Sequence, residues 1–202
     1  MRREEFLSDH PQQIAMILNT ARIGQVGIIT PDGYPRVVPI NFVWLDDKIY
    51  FHTARKGEKY EAFEAEAKVT FSAEIVYSNI PSFWLGETSG CTATVFYESV
   101  LIRGVGAVVD DRREKAVALQ TLMEKEQPEG KFRRFTADEP LYRKAIDEVG
   151  ICRIDPVRID LKVKLGQNRS RRVRQMLIKK LIARGRPRDI ETAEQIGKTL
   201  AE

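Results

Sequence analysis

The chain has 202 residues, 43% of them hydrophobic and 31% charged, and a net charge of +4. This is the balance of a soluble globular protein long enough to bury roughly 70% of its unfolded surface without disulfides or metal. Two distant cysteines, Cys91 and Cys152, exclude a disulfide scaffold, and the charged start MRREEFLSDHPQQ lacks the apolar core of a signal peptide.

From the N-terminus, Ser8 and Asp9 are candidate caps for a helix over residues 8–21, with Pro11 in its first turn and Ile14, Ile17, Leu18 and Ala21 at helical spacing. A strand over Gln25–Thr30 runs into Pro31-Asp32-Gly33, a hairpin turn in which Pro presets φ, Asp caps and Gly supplies φ > 0. A second strand, Arg36–Leu45, contains Pro39. Proline cannot donate to a ladder, so this position implies a bulge, an edge, or a place where a ligand replaces a neighbouring strand. Asp46-Asp47 turns the chain into a third strand, Lys48–Thr53.

A helix is predicted over Arg55–Ala67, with Tyr60 and Phe63 inward and Glu61, Glu64 and Glu66 outward, followed by a strand over Lys68–Ile75. The loop 76–90 carries Phe83 and Trp84, which either cover a ligand or pack. Strands over Thr92–Phe96 and Ser99–Val109 can be one bent strand, since Gly104 and Gly106 allow curvature. A helix opened by Asp110-Asp111 runs to Glu126 with Ala116, Leu119 and Met123 on one face. A short helix over Glu139–Glu148 ends at Gly150 as a C-cap. The last strand, Ile151–Leu165, sets Val157, Ile159, Leu161 and Val163 against Arg158, Asp160, Lys162 and Lys164. A helix over Arg171–Ala183, with Val173, Leu177 and Leu181 on one side, and another after Asp189 complete the chain.

Six or seven strands with helices that do not alternate with each of them predict a mainly β fold, an antiparallel β-barrel with peripheral helices rather than a βαβ sheet. The expected organisation is a barrel domain over residues 1–165 and a basic helical extension over 166–202. No apolar run approaches the ~20 residues of a membrane span, so a cytoplasmic protein is expected. Between Leu161 and Arg188 stand eleven basic residues and no acidic one, which leaves −7 on the remainder. A general nucleic-acid-binding domain has another distribution, and the aliphatic face of the tail helix favours docking over nucleic-acid contact.

Two histidines, His10 and His52, with no HExxH or cysteine cluster exclude a zinc site, so no metal is expected. The absence of GxSxG, GxGxxG and GxxxxGK[ST] argues against a hydrolase elbow, a Rossmann site and a P-loop. The segment His52-Thr53-Ala54-Arg55-Lys56-Gly57-Glu58-Lys59 places a hydroxyl, three cations and a glycine where a strand meets a helix N-terminus. That pattern suits an anion, with Thr53 donating, Gly57 allowing close approach and Arg55, Lys56 and Lys59 supplying charge. A solvated basic turn has the same spacing.

Several ordered pieces resemble one family. They are Asp32-Gly33-x-Pro35 followed by Val38-Pro39-x-Asn41-Phe42, then Tyr50 to Lys59 (YFHTAxxGxK), then Tyr97-Glu98-Ser99-Val100 with Gly104, and finally Lys164-Leu165-Gly166-Gln167-Asn168-Arg169. Together they are similar to the FMN-binding split-barrel proteins related to pyridoxamine 5'-phosphate oxidase, nearest the nitroimidazole-resistance branch. The resemblance implies a homodimer with FMN at the subunit interface. Val38, Pro39, Ile40 and Asn41 would lie along the flavin ring, and His52 near the ribityl chain or ring. Thr53, Ala54, Lys56, Gly57 and Lys59 would surround the phosphate, and Tyr97, Ser99 and Val100 would approach from the partner. The tail reads KLGQNRSRR where an Arg/His pair would read pyridoxamine phosphate, which points away from that oxidase activity. The implied function is an FMN-dependent oxidoreductase acting on a small electrophile such as a nitro compound. A non-catalytic flavin sensor or carrier, or a flavin-binding regulator using the basic tail on nucleic acid, is the alternative.

Overall fold

The structure, a computed structural model, describes residues 4–8, 10–86 and 88–200. Its elements in order are β1 (Leu7–Ser8), α1 (Pro11–Thr20), β2 (Ile23–Ile29), β3 (Pro35–Asn41), β4 (Val43–Leu45), β5 (Lys48–Thr53), α2 (Glu58–Glu64) and β6 (Lys68–Ile80). There follow β7 (Thr94–Val108), α3 (Arg112–Glu126), α4 (Arg143–Glu148), β8 (Gly150–Lys164), α5 (Arg171–Arg184) and α6 (Asp189–Lys198). The chain forms two compact units. A sheet unit comprises Pro11–Ala73 and Val100–Ile159, and a tail unit comprises the described residues of Met1–His10, Glu74–Ser99 and Asp160–Glu202.

In the sheet unit the strand order is β3-β2-β6-β7-β8-β5-β4, with antiparallel pairing. The mainly β antiparallel fold expected from the strand pattern is therefore present. The two ends of the order, β3 and β4, are separated in the chain by Phe42 alone, as in a sheet that rolls back toward its own edge. The predicted single strand over Arg36–Leu45 breaks there because Phe42 turns inward. Its ring is fully buried and meets Phe71 edge-on at a centroid distance of 4.7 Å. Pro39 pairs with Gln25 on one side only, since β3 is an edge strand, which is where a residue without an N–H is tolerated.

The broken ladder frees the Phe42 carbonyl, and Lys125 satisfies it. Lys125 Nζ donates to the carbonyls of Phe42 and Leu18, each at 3.0 Å, and lies 4.0 Å from the centre of the Phe42 ring. Burial pushes this ammonium down to about 8. A lysine whose folded pKa lies below its unfolded value near 10.4 binds more protons unfolded, so its contribution to stability rises with pH between about 8 and 10.4. The difference in unfolding free energy between wild type and Lys125→Met should therefore grow in favour of wild type across that window. A pH-independent difference, measured by urea unfolding, would show that the ammonium is not desolvated.

Other boundaries moved for local reasons. The helix predicted from Arg55 starts at Glu58 because Gly57 has φ 91°, and it stops before Glu66, which has φ 50°. Ser8 pairs with Leu161 in β1 instead of capping α1, and Asp9 lies outside the described residues. α3 is capped by Asp111, whose carboxylate accepts from Glu114 N at 2.7 Å. It buries Ala116 of the predicted face together with Ala118 and Leu122, and Leu119 packs partly buried against the core. The two strands expected around residues 92–109 are one, β7, and β6 runs five residues past Ile75. In β8 the predicted alternation holds for Leu161 and Val163, but Val157 is exposed.

Two glycines serve close approach rather than flexibility. Gly150 opens β8 instead of capping α4, because a Cβ there would lie 2.9 Å from the Tyr60 ring and 3.0 Å from the Thr53 carbonyl. A Cβ on Gly104 would lie 2.5 Å from the Asp155 carbonyl oxygen, a backbone atom that cannot swing aside. Gly104→Ala should cost about 1–3 kcal/mol or more by chemical denaturation. The control is Gly197→Ala in α6, where nothing lies within 4 Å of the added methyl and no loss is expected.

The tail unit gathers β1, the far ends of β6, β7 and β8, 3₁₀ turns at Ser82–Leu85 and Gly90–Thr92, and the two last helices. α5 is capped by Ser170 and stopped by Gly185 at φ 63°, and it buries Leu177 and Leu181. Its cations are largely engaged within the unit. Arg174 and Arg171 donate to the carbonyls of Thr199 and Leu200, and Arg184 binds Asp189 and stacks 4.7 Å from the Trp84 ring. Docking of this helix through its aliphatic face is thus observed, and Trp84 packs against it. Among the described residues no helix is long and apolar enough to cross a membrane.

Candidate functional site

The corner where β5 gives way to α2 lies in the sheet unit. β5 buries Ile49, Tyr50 and Phe51, presents His52 to solvent, and ends at half-buried Thr53, which pairs with Gly150. Ala54, Arg55, Lys56 and Gly57 are all exposed. Gly57 carries no neighbour within 4 Å of its missing side chain, so its backbone is open to an incoming group.

The three cations of this corner have different surroundings. Arg55 is tied down, with Nη1 donating to the Asp147 carbonyl at 3.0 Å. Lys56 is exposed. Lys59 is half-buried, its Nζ 5.3 Å from the centre of the Phe51 ring, and it has no ion-pair partner among the described residues. Burial lowers its pKa, with the nearby Cys152 thiol acting in the opposite sense. Burial in turn pushes the Cys152 thiol up to about 12. An ammonium losing hydration without gaining an anion is the feature a bound phosphate would relieve. α2 has seven residues with Glu58 and Glu61 in its first turn, so side-chain cations, not the helix end, supply the positive field.

Arg36 of β3 makes an ion pair with Glu58 of α2, which places the start of β3 beside this corner. Along β3, Pro39 and Asn41 are exposed, Val38 is half-buried and Ile40 is buried. Because β3 ends the strand order, its outer backbone groups have no strand partner in the sheet and could meet a ring edge. The structure thus brings together Val38–Asn41 and the segment His52–Lys59. These residues fit a phosphate-bearing aromatic cofactor: Lys59, Lys56, Thr53 and Gly57 offer the anion contacts, and the free edge of β3 offers backbone donors and acceptors.

The remaining expected residues are elsewhere. Tyr97 and Ser99 are half-buried in the tail unit. Val100, in the sheet unit, is fully buried, backbone included, within the single chain. Tyr97 has the ammonium groups of Lys162 and Lys164 at 5.2 and 5.4 Å from its ring centre. Sequence reasoning treated those lysines as the polar face of the last strand. Their i, i+2 spacing, which puts both on one face, is the signal that could have joined them to a site. Among the described residues no group of three or more His, Cys, Asp or Glu could hold a metal ion.

The structure is similar to several solved proteins. One is described as a 5-nitroimidazole antibiotic resistance protein from Bacteroides thetaiotaomicron (24% identity, 78% of this chain and 86% of that one, TM-score 0.62). Another is the flavocytochrome Anf3 from Azotobacter vinelandii (18% identity, 81% and 72%, TM-score 0.67). A third is an FAD and heme binding protein from Mycobacterium smegmatis (19% identity, 79% and 74%, TM-score 0.66). At these identities the likeness is one of fold. Comparison with curated proteins finds no match. The model of the family described as pyridoxamine 5'-phosphate oxidase matches residues 10–163, a span that takes in β2 to β5, α2 and nearly all of β8. The chain belongs to the pyridoxamine 5'-phosphate oxidase family.

Proposed function

We propose that this chain binds FMN and acts as an FMN-dependent oxidoreductase on a small electrophile such as a nitro compound. The observation that carries the reading is Lys59, a half-buried ammonium without a counter-ion at an open glycine corner beside the free edge of β3. Family membership and the flavin-binding proteins among the structural neighbours support it. In this reading Lys59 and Lys56 meet the phosphate, Thr53 donates to it, and Gly57 lets the backbone come close. His52 faces the ribityl chain. Val38, Pro39, Ile40 and Asn41 lie along the ring, with Tyr97, Ser99 and Val100 approaching from a second copy in a cytoplasmic homodimer. Bound flavin would supply the electron transfer, and the protein supplies placement and field.

The test is direct. Purified full-length protein titrated with FMN should quench flavin fluorescence and retain the visible flavin absorbance after gel filtration. Retention of neither FMN nor FAD would overturn the reading. Anaerobic reduction followed by reoxidation with a nitroaromatic should then show turnover, whereas a sensor or carrier would be reoxidised without it.

A further inference from the structure

Arg55 ties the basic corner to α4, and α4 depends on outside groups for its hold. It has six residues, buries only Ile146, and begins at Tyr142 without a side-chain cap. A helix this short is marginal by itself, and its free carbonyls need partners from other elements. Three cations supply them. Arg112 of α3 donates to the Arg143 carbonyl at 3.1 Å and pairs with the Asp147 carboxylate at 3.4 Å. Lys115 of α3 donates to the Val149 carbonyl at 3.3 Å, and Arg55 to the Asp147 carbonyl at 3.0 Å.

These three holds are not equivalent. Lys115 is buried and Arg112 half-buried, whereas Arg55 is exposed and has no ion-pair partner among the described residues. Its guanidinium donates to a neutral carbonyl. A phosphate offers the same fork charged acceptors, with bonds roughly twice as strong. Arg55 stands in the chain between Thr53 and Gly57, both read above as phosphate contacts. Lys115 adds a push. Burial lowers its pKa and the charge of Arg55 lowers it further, with Asp110 and Asp147 acting in the opposite sense. Arg55 and Lys115 therefore repel each other at the end of α4, and withdrawal of Arg55 relieves that repulsion.

We infer that α4 is a phosphate-sensing element: an anion at the corner draws Arg55 from the Asp147 carbonyl and loosens the last turn of the helix. The inference rests on the flavin reading and adds a response to it. Ahead of α4 the Phe135 ring stacks on Tyr142 at 3.8 Å, so a looser helix also frees the connection that leads into it. Every residue of α4 except Ile146 is exposed, so the change appears on the surface of the sheet unit.

Hydrogen exchange of the full chain, read by mass spectrometry on the peptide 143–149, tests this. Its protected amides include Ile146, bonded to the Tyr142 carbonyl at 2.8 Å, and Val149, bonded to the Ala145 carbonyl at 3.0 Å. Saturating FMN should speed exchange of this peptide at least fivefold and leave α1 unchanged. Riboflavin, which lacks the phosphate, should speed it less than twofold. Arg55→Gln should exchange fast without ligand, and FMN should change its rate less than twofold. FMN that binds the wild type yet leaves α4 unchanged, or slows its exchange, overturns the inference and leaves the flavin reading standing. Equal acceleration by riboflavin also overturns it, because the ring and not the phosphate would then drive the change. Flavin fluorescence on the same samples reports binding. Absence of any bound flavin overturns the flavin reading and the inference with it, and the fluorescence distinguishes that outcome from the others.

Discussion

Asp189→Ala is expected to destabilise the tail unit by about 3–5 kcal/mol, the cost of leaving a buried charge without its partner. Asp189 is fully buried at the first residue of α6. Its carboxylate accepts from Arg184 Nη2 at 2.6 Å and Nε at 2.8 Å, from Ser78 Oγ at 2.6 Å, and from the Arg186 amide at 2.9 Å. The Arg184 side chain is only 13% exposed, so removing the carboxylate strands a guanidinium between Trp84 and the Asn79 carbonyl. The double replacement Arg184→Met with Asp189→Leu should be milder than Asp189→Ala, because it removes both charges together. Urea unfolding followed by fluorescence measures both, with Trp84 reporting on this unit. The pH dependence has a fixed sign. The Arg184 hydrogen bonds hold the Asp189 carboxyl well below the usual carboxylate range. Its contribution is therefore present above the unfolded value near 3.9 and is lost as pH falls below it. Asp189→Asn should accordingly flatten the acid side of the stability profile. An unchanged acid limb together with a loss under about 1 kcal/mol would mean that the pair is solvated, as surface pairs are.

That node also shows what the sequence could and could not convey. The helix after Asp189 and the aliphatic stripe of Leu177 and Leu181 were legible, because both follow from local spacing. The pairing of Asp189 with Arg184 across the Gly185 turn was not, since a run of eleven cations looks solvated until a buried acid is placed beside one of them. The same holds in the sheet. The turns at Pro31-Asp32-Gly33 and Asp46-Asp47 located β5 to the residue and β2 to within two, yet gave no sign that the chain breaks at Phe42. That break depends on Phe71 and on Lys125, distant in sequence. Gly104 and Gly150 were visible as glycines, but their purpose rests on a carbonyl and a ring from elsewhere in the fold. The basic corner was legible as a cluster of cations. Its internal division was not, because Arg55 is occupied by the carbonyl of Asp147.

Within that corner Lys59→Met should produce two effects of opposite sign, and together they isolate the role of the charge. FMN affinity should fall about 10–100-fold, the scale of a charge-assisted hydrogen bond of about 1.5–3 kcal/mol. Apo-protein stability should stay level or rise, because the ammonium loses hydration in the fold and gains no anion there. A residue that merely packs would give the reverse on stability, since losing the contact with the Phe51 ring would cost the apo protein. Lys56→Met should weaken FMN much less, because a fully solvated cation gains little from an ion pair. Riboflavin, which has the ring and ribityl chain but no phosphate, separates the two parts of the site, and its affinity should be unchanged in Lys59→Met. Fluorescence titration of the four combinations of protein and ligand gives the result in one experiment. If Lys59→Met lowers riboflavin and FMN affinity equally, the lysine supports the ring region. If neither changes, the phosphate binds elsewhere, and the exposed edge of β3 stands without the corner beside it.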